Sequence, residues 1–324
     1  MTRIVTRIVL PLTLLTATLA LALPAQASLT RTFVSAAGSD ANPCTITQPC
    51  ATFAHAYSLT AASGIVAALD PGKYGPLTIT GAITINGNGW AAITAPAAGN
   101  GITITAGATD NVALIGLEID GAGAGYNGIV LNSAGSLTVT NCTLQNFAFD
   151  GSHNNTGNGI LMQPTTGTLV FTITNTTASN NGEAGIYFLP PSGSPNANGV
   201  IDHVVADANQ HGISVQLGFT AGGSNVVTIS DSIVSNNGTD GIFAGNGPAA
   251  LKLSIDNVTV SGNNSGVVAV APANVLLGRS VITGNNVGVF NTTSPSTIGS
   301  YHDNRINLNT IDVSGLAMNP LTPQ

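Results

Sequence analysis

Glu183, His211 and Asp240 are the side chains of this sequence whose types and spacing could do chemistry together. They occur in Glu183-Ala184-Gly185-Ile186, His211-Gly212-Ile213 and Asp240-Gly241-Ile242, at or next to the residue before a recurring Gly. If successive copies of that pattern stack, two carboxylates and an imidazole meet on one face and could serve as acid and base on a glycoside. The competing reading is a turn column that is simply polar, since its other members include Asn127, Asn158 and Ser265.

Two further groupings emerge when the copies are aligned. Asp202 falls above Asp231, with Asp207 five residues beyond Asp202. Like charges on adjacent coils raise each other's pKa unless a cation offsets them, and Ca2+ takes such oxygen clusters readily. Asp also replaces Asn in stacked turns, and Arg279 lies farther along the same column, so a purely structural use stays open. The other grouping is the residue after each Gly-Ile or Gly-Val: Val130, Leu161, Tyr187, Ser214, Phe243, Val268 and Phe290. An outward apolar stripe marks an interaction site, and the rings of Tyr187, Phe243 and Phe290 suit the apolar faces of sugars. Burial under the long connections 189–199 and 217–225 is the alternative.

The elements that must position these residues are short and repeated. The Gly-Ile or Gly-Val pattern begins at Gly101 and recurs at intervals of 27, 31, 26, 27, 29, 25 and 22 residues. Such a period, built from β-branched runs and Asn/Gly turns, predicts a solenoid. Alternating runs such as Leu137-Thr138-Val139-Thr140 and Phe171-Thr172-Ile173-Thr174 place one set of side chains inward and Thr outward. A polar turn residue follows each (Asn141, Asn175, Asp202, Asp231, Asn257, Arg279). Five residues on lie Asn146, Asn180, Asp207, Asn236, Gly262 and Gly284. Coils roughly 4.8 Å apart let Asn side chains form an amide ladder. His203 aligns with inward positions and reads as a core residue.

The ends read differently. Arg3 and Arg7, the apolar stretch 8–23 and Ala25-Gln26-Ala27 predict a secretory leader over residues 1–27. Residues 28–75 form a cap module, in which 51–62 is expected to make a short helix with Phe53, Ala54, Tyr57 and Ala61 on its apolar face. Coils occupy 76–300 and an exit segment 301–324. Without Arg3 and Arg7, five basic residues remain against 14 acidic, a formal charge of −9. That balance argues against a nucleic-acid partner. No other apolar run is long enough to span a bilayer. In an oxidising compartment Cys44 and Cys50 are expected to form a disulfide, and Cys142 to behave as a buried small hydrophobe.

The opening 33–44 (FVSAAGSDANPC), Thr52-Phe53, Asp70-Pro71-Gly72-Lys73-Tyr74 and the Asn/Gly-Ile coils resemble the pectin lyase-like superfamily. The resemblance spans essentially the whole exported chain. It implies right-handed winding, three sheets per coil and an association with extracellular polysaccharide. It does not settle activity, because the fold hosts lyases, hydrolases, adhesins and inactive modules. The Asn-Thr-Asp, Asp-Asp and Gly-His-Gly elements of galacturonase-type hydrolases are absent from the sequence.

These observations predict an all-β, single-stranded right-handed parallel β-helix with an N-terminal capping helix, secreted or periplasmic. The function expected is a non-catalytic polysaccharide-binding or structural module. The alternatives are a polysaccharide lyase or glycoside hydrolase using Glu183, His211 and Asp240, with Ca2+ possible at Asp202, Asp207 and Asp231, and a self-associating surface adhesin.

Overall fold

The computed structural model describes residues 29–151, 155–292 and 297–322. The leader expected over 1–27 lies outside them. Among the described residues no helix is long and apolar enough to cross a membrane.

The chain winds as a parallel β-solenoid with three strand ladders per coil. Long strands such as Thr168–Thr174 and Asn196–Asp202 pair in register, Thr172 with Val200 and Ile173 with Ile201. Three-residue strands such as Thr177–Ser179 and Val205–Asp207 form the second ladder. The third, here the closing ladder, is a ten-stranded sheet that includes Asn158–Met162, Ala184–Phe188, His211–Gln216 and Asp240–Gly245. In the early coils the first two ladders share one strand, as in Asn111–Asp120, which pairs with both strands of the following coil.

Later coils turn sharply between the ladders at left-handed residues: Asn141, Asn175, His203, Asp231, Asn257 and Arg279 at one corner, Asn146, Asn180, Ala208 and Asn236 at the next. Asn and Asp tolerate this backbone conformation better than other side chains, which accounts for much of the Asn excess. One coil departs from the alignment read from sequence. There the corner residues are His203 and Ala208, while Asp202 and Asp207 are the preceding strand ends, paired with Ser230 and Ser235. His203 is exposed, and Val204 takes the inward place.

The amide ladder forms one residue beyond the second corner. Asn181, Asn209, Asn237, Asn263 and Asn285 each donate through Nδ2 to the Oδ1 of the next member at 2.9–3.2 Å, ending on Asn309. Backbone N–H groups of the ladder donate to the same oxygens, as Asn209 does to Asn237 at 3.0 Å. These amides are buried, and nearly all their capacity is spent between coils.

The recurring Gly is explained by close approach. A Cβ at Gly159, Gly185, Gly212 or Gly241 would lie 2.5–2.8 Å from the carbonyl oxygen of the corresponding Gly in the next coil. The closing ladder can stack at that corner only if the position has no side chain.

The cap helix is shorter than expected, Phe53–Leu59, because Thr60–Ala68 is already a strand of the first coil. Thr52 caps it by accepting the His55 N–H, and Phe53 and Ala56 are its buried residues, while Ala54 is exposed. Cys44 and Cys50 form the expected disulfide beside the strand Leu29–Val34, and Cys142 is free and buried. Beyond residue 301 the chain continues the solenoid, with Ile311–Gly315 pairing with Val287–Asn291.

Candidate functional site

The register of the closing ladder brings Glu183, His211 and Asp240 together. Ala184 pairs with His211 and His211 with Asp240, so those three positions stack directly. Glu183 stands one residue before Ala184, and its carbonyl accepts the His211 N–H at 2.8 Å. The Glu183 Oε1 lies 3.8 Å from His211 Nε2. On the other edge of the ring, His211 Nδ1 is 3.2 Å from Asp240 Oδ2. That contact is in ion-pair range but not aligned as a hydrogen bond.

All three groups are largely withdrawn from solvent: Glu183 is 5% exposed and Asp240 8%. Burial pushes the Glu183 carboxyl above the usual carboxylate range, against a smaller opposing pull from His211. A buried carboxyl beside an imidazole is an arrangement that acid–base sites use. For a glycosidase, however, two carboxyls must flank a gap of about 5–10 Å that the sugar enters. Here the imidazole stands in that place, with one nitrogen toward each acid.

The outward stripe beside this cluster is mostly covered. Tyr187 is fully buried, and with Val130, Leu161, Ala184 and Leu189 it forms a second apolar cluster outside the solenoid core. Its ring is therefore not an open platform for sugar. Asp150, Asn155 and Thr156 border the same cavity as Val130 and Leu161, and Asn127 Nδ2 donates to the Asn155 carbonyl at 2.9 Å. Ser214, between Tyr187 and Phe243, is also buried, with a hydroxyl that has no hydrogen-bond partner. Phe243 is half-buried, and Phe290 keeps an open surface.

The acidic grouping is rearranged. Asp202, His203 and Asp231 offer ligand atoms within 4.8 Å of one another. Asp207 is elsewhere, its Oδ1 accepting from Ser235 and Asn236 at the next corner. Both oxygens of Asp202 are engaged, Oδ1 by the Ser230 hydroxyl and Oδ2 by His203 Nδ1, each at 2.6 Å. Those hydrogen bonds, Ser230's first, hold Asp202 below the usual carboxylate range. Two carboxylates, one hydrogen-bonded at both oxygens, and an imidazole are a poor match for Ca2+, which takes six to eight oxygens. The residues present do not fit a calcium centre.

Alignment of the repeat missed the open face. On the long-strand ladder, outward rows run Thr138-Thr172-Val200-Thr228-Ser254-Leu276 and Val170-Asn198-Val226-Lys252-Asn274. Val170, Val200, Val226 and Leu276 are 38–47% exposed there. The signal was the strict alternation of these strands, which puts Val170 and Val226 on the same face as the Thr residues.

A family model described as right handed beta helix region matches residues 77–296. Among solved structures, pectate lyase Pel9A is similar at 14% identity, with 82% of this chain and 78% of that one covered and a TM-score of 0.54. The A-module of Azotobacter vinelandii mannuronan C-5 epimerase AlgE4 aligns at 17% identity over 81% and 91%, with a TM-score of 0.44. The GH136 lacto-N-biosidase of Eubacterium ramulus aligns at 11% over 90% and 68%, with a TM-score of 0.40. No curated protein matches the chain. With three parallel ladders per coil and a family match over most of its length, this chain belongs to the right-handed β-helix proteins.

Proposed function

We propose that this protein is exported and binds extracellular polysaccharide, without cleaving it, along the outward face of its long-strand ladder. The observation that carries this reading is the exposure of Val170, Val200, Val226 and Leu276 among Thr and Ser on one regular sheet. A pyranose chain has apolar C–H faces and hydroxyl edges, and rows of Val and Thr roughly 4.8 Å apart can meet both. The Cys44–Cys50 disulfide is compatible with an oxidising compartment.

The second reading is glycan cleavage by Glu183, His211 and Asp240. Favouring it is a buried carboxyl of raised pKa in contact with an imidazole, an arrangement frequent in acid–base sites.

One experiment addresses both. The purified exported chain is applied to immobilised neutral and uronic-acid polysaccharides, and each soluble polymer is assayed for new reducing ends. Retention that falls in Val200→Lys and Val226→Lys, without product, supports binding. Product that disappears in Glu183→Gln and Asp240→Asn makes the protein an enzyme. Neither retention nor product would remove both readings.

A further inference from the structure

Toward its last coils the long-strand face loses its regular cover of side chains. Two outward positions are glycine: Gly278, paired with Asp256, and Gly299, paired with Leu276. A Cβ at Gly278 would stand 3.3 Å from Asp256 Oδ1, 3.5 Å from Tyr301 Cδ2 and 3.8 Å from Asp303 Oδ1. A Cβ at Gly299 would press on Leu321 at 2.6 Å. The bare backbone thus lets Tyr301 and Leu321 settle onto the sheet. Between them opens a cleft of about 730 Å3, lined by Ser254, Asp256, Leu276, Arg279, Tyr301 and Asp303 and walled by residues 320–322. That volume is within the range of small-ligand sites, roughly 300–1,000 Å3.

The chemistry of the lining narrows what could fill it. The Arg279 guanidinium is held in a fork by Asp256, with Nε 2.8 Å from Oδ1 and Nη2 on Oδ2. A fixed donor beside a fixed acceptor matches a sugar hydroxyl pair, because each hydroxyl both donates and accepts. Tyr301 and Leu276 supply apolar surface for a pyranose face. Charge then selects among sugars. Asp256 and Asp303 outweigh Arg279, and Asp231 and Asp202 continue the acidic edge. A uronate would enter against net negative charge, whereas a neutral sugar would not.

We infer that this cleft is a subsite for a neutral saccharide, anchoring a polysaccharide that lies along the Val/Thr face, and this rests on the binding reading above. The test is calorimetric titration of the exported chain with cellotetraose, xylotetraose, mannotetraose and tetragalacturonate, alongside retention on the parent polymers. The expected result is binding of a neutral tetrasaccharide. It should weaken about tenfold or more in Tyr301→Ala and in Leu276→Asn, and survive Tyr301→Phe. Preference for tetragalacturonate, or equal affinity in Tyr301→Ala and Leu276→Asn, overturns the inference. Polymer retention lost in Val200→Lys but indifferent to the cleft variants removes the subsite and leaves the face. No retention of any polymer by the unaltered chain removes both. Circular dichroism of each variant separates lost binding from lost fold.

Discussion

His211 Nε2 lies 3.8 Å from Glu183 Oε1, and the strand register that sets this distance also buries the carboxyl. Burial outweighs the attraction of the imidazole, so the folded chain favours the protonated acid relative to the unfolded chain. The stabilisation from a group raised in this way is complete below its ordinary value of 4.5 and is lost as pH rises through the folded value. Glu183→Gln should therefore raise Tm at pH 7, by about 2–4 °C per kcal/mol gained, and the gap should close as pH falls toward 4. Thermal melts of both proteins across that range check the sign. A gap that widens on acidification would show that the ionised acid is the stabilising form.

The amide ladder predicts a contrast between adjacent residues. Asn237 Oδ1 accepts the Asn209 N–H and its Nδ2, while Asn237 Nδ2 donates to Asn263 Oδ1 and to the Ala206 carbonyl. Asn237→Ala strands several buried polar groups, each worth about 1–3 kcal/mol, so a loss of about 3–5 kcal/mol is expected. Asn236 is a corner residue with φ of 54°. Its replacement by Ala should cost about 1 kcal/mol, and replacement by Gly should be close to neutral. Denaturant titrations of the three variants provide the comparison.

Size compensation in the core gives a third expectation. Gly199 pairs with Phe171, and a Cβ there would fall 2.0 Å from the Phe171 ring. The ring also stacks near Phe188, with centroids 6.3 Å apart. Gly199→Ala should cost about 1–3 kcal/mol or more, as overpacking does, and less in a Phe171→Leu background. A double-mutant cycle without coupling would mean the ring escapes by another rotamer.

The cysteines should behave oppositely. The Cys44–Cys50 bond closes a short loop, and replacing both with Ser should lower stability by about 2 kcal/mol. Cys142 is buried, and burial pushes its thiol up to about 11. Native protein at pH 8 should therefore leave Cys142 unmodified by a thiol reagent, while denatured protein reacts with one equivalent. Mass spectrometry before and after unfolding reads both.

Period, alternation and turn composition were enough to specify a parallel solenoid, because strand stacking repeats the same local problem in every coil. The pairing of Cys44 with Cys50 and the meeting of Glu183, His211 and Asp240 were legible for that reason: each needs only short loop closure or correct counting to the next Gly. Counting failed where a coil places its left-handed corner on His203 rather than Asp202, since a single-residue offset changes no composition and only the backbone dihedrals distinguish the two. It also could not say which face stays open. Tyr187 and Val200 both point outward from their strands, yet Tyr187 is buried in an apolar cluster with Val130, Leu161 and Leu189 and Val200 is left in solvent. Covering a sheet depends on where loops from other coils fold back, a long-range packing outcome that the local pattern of either strand does not encode.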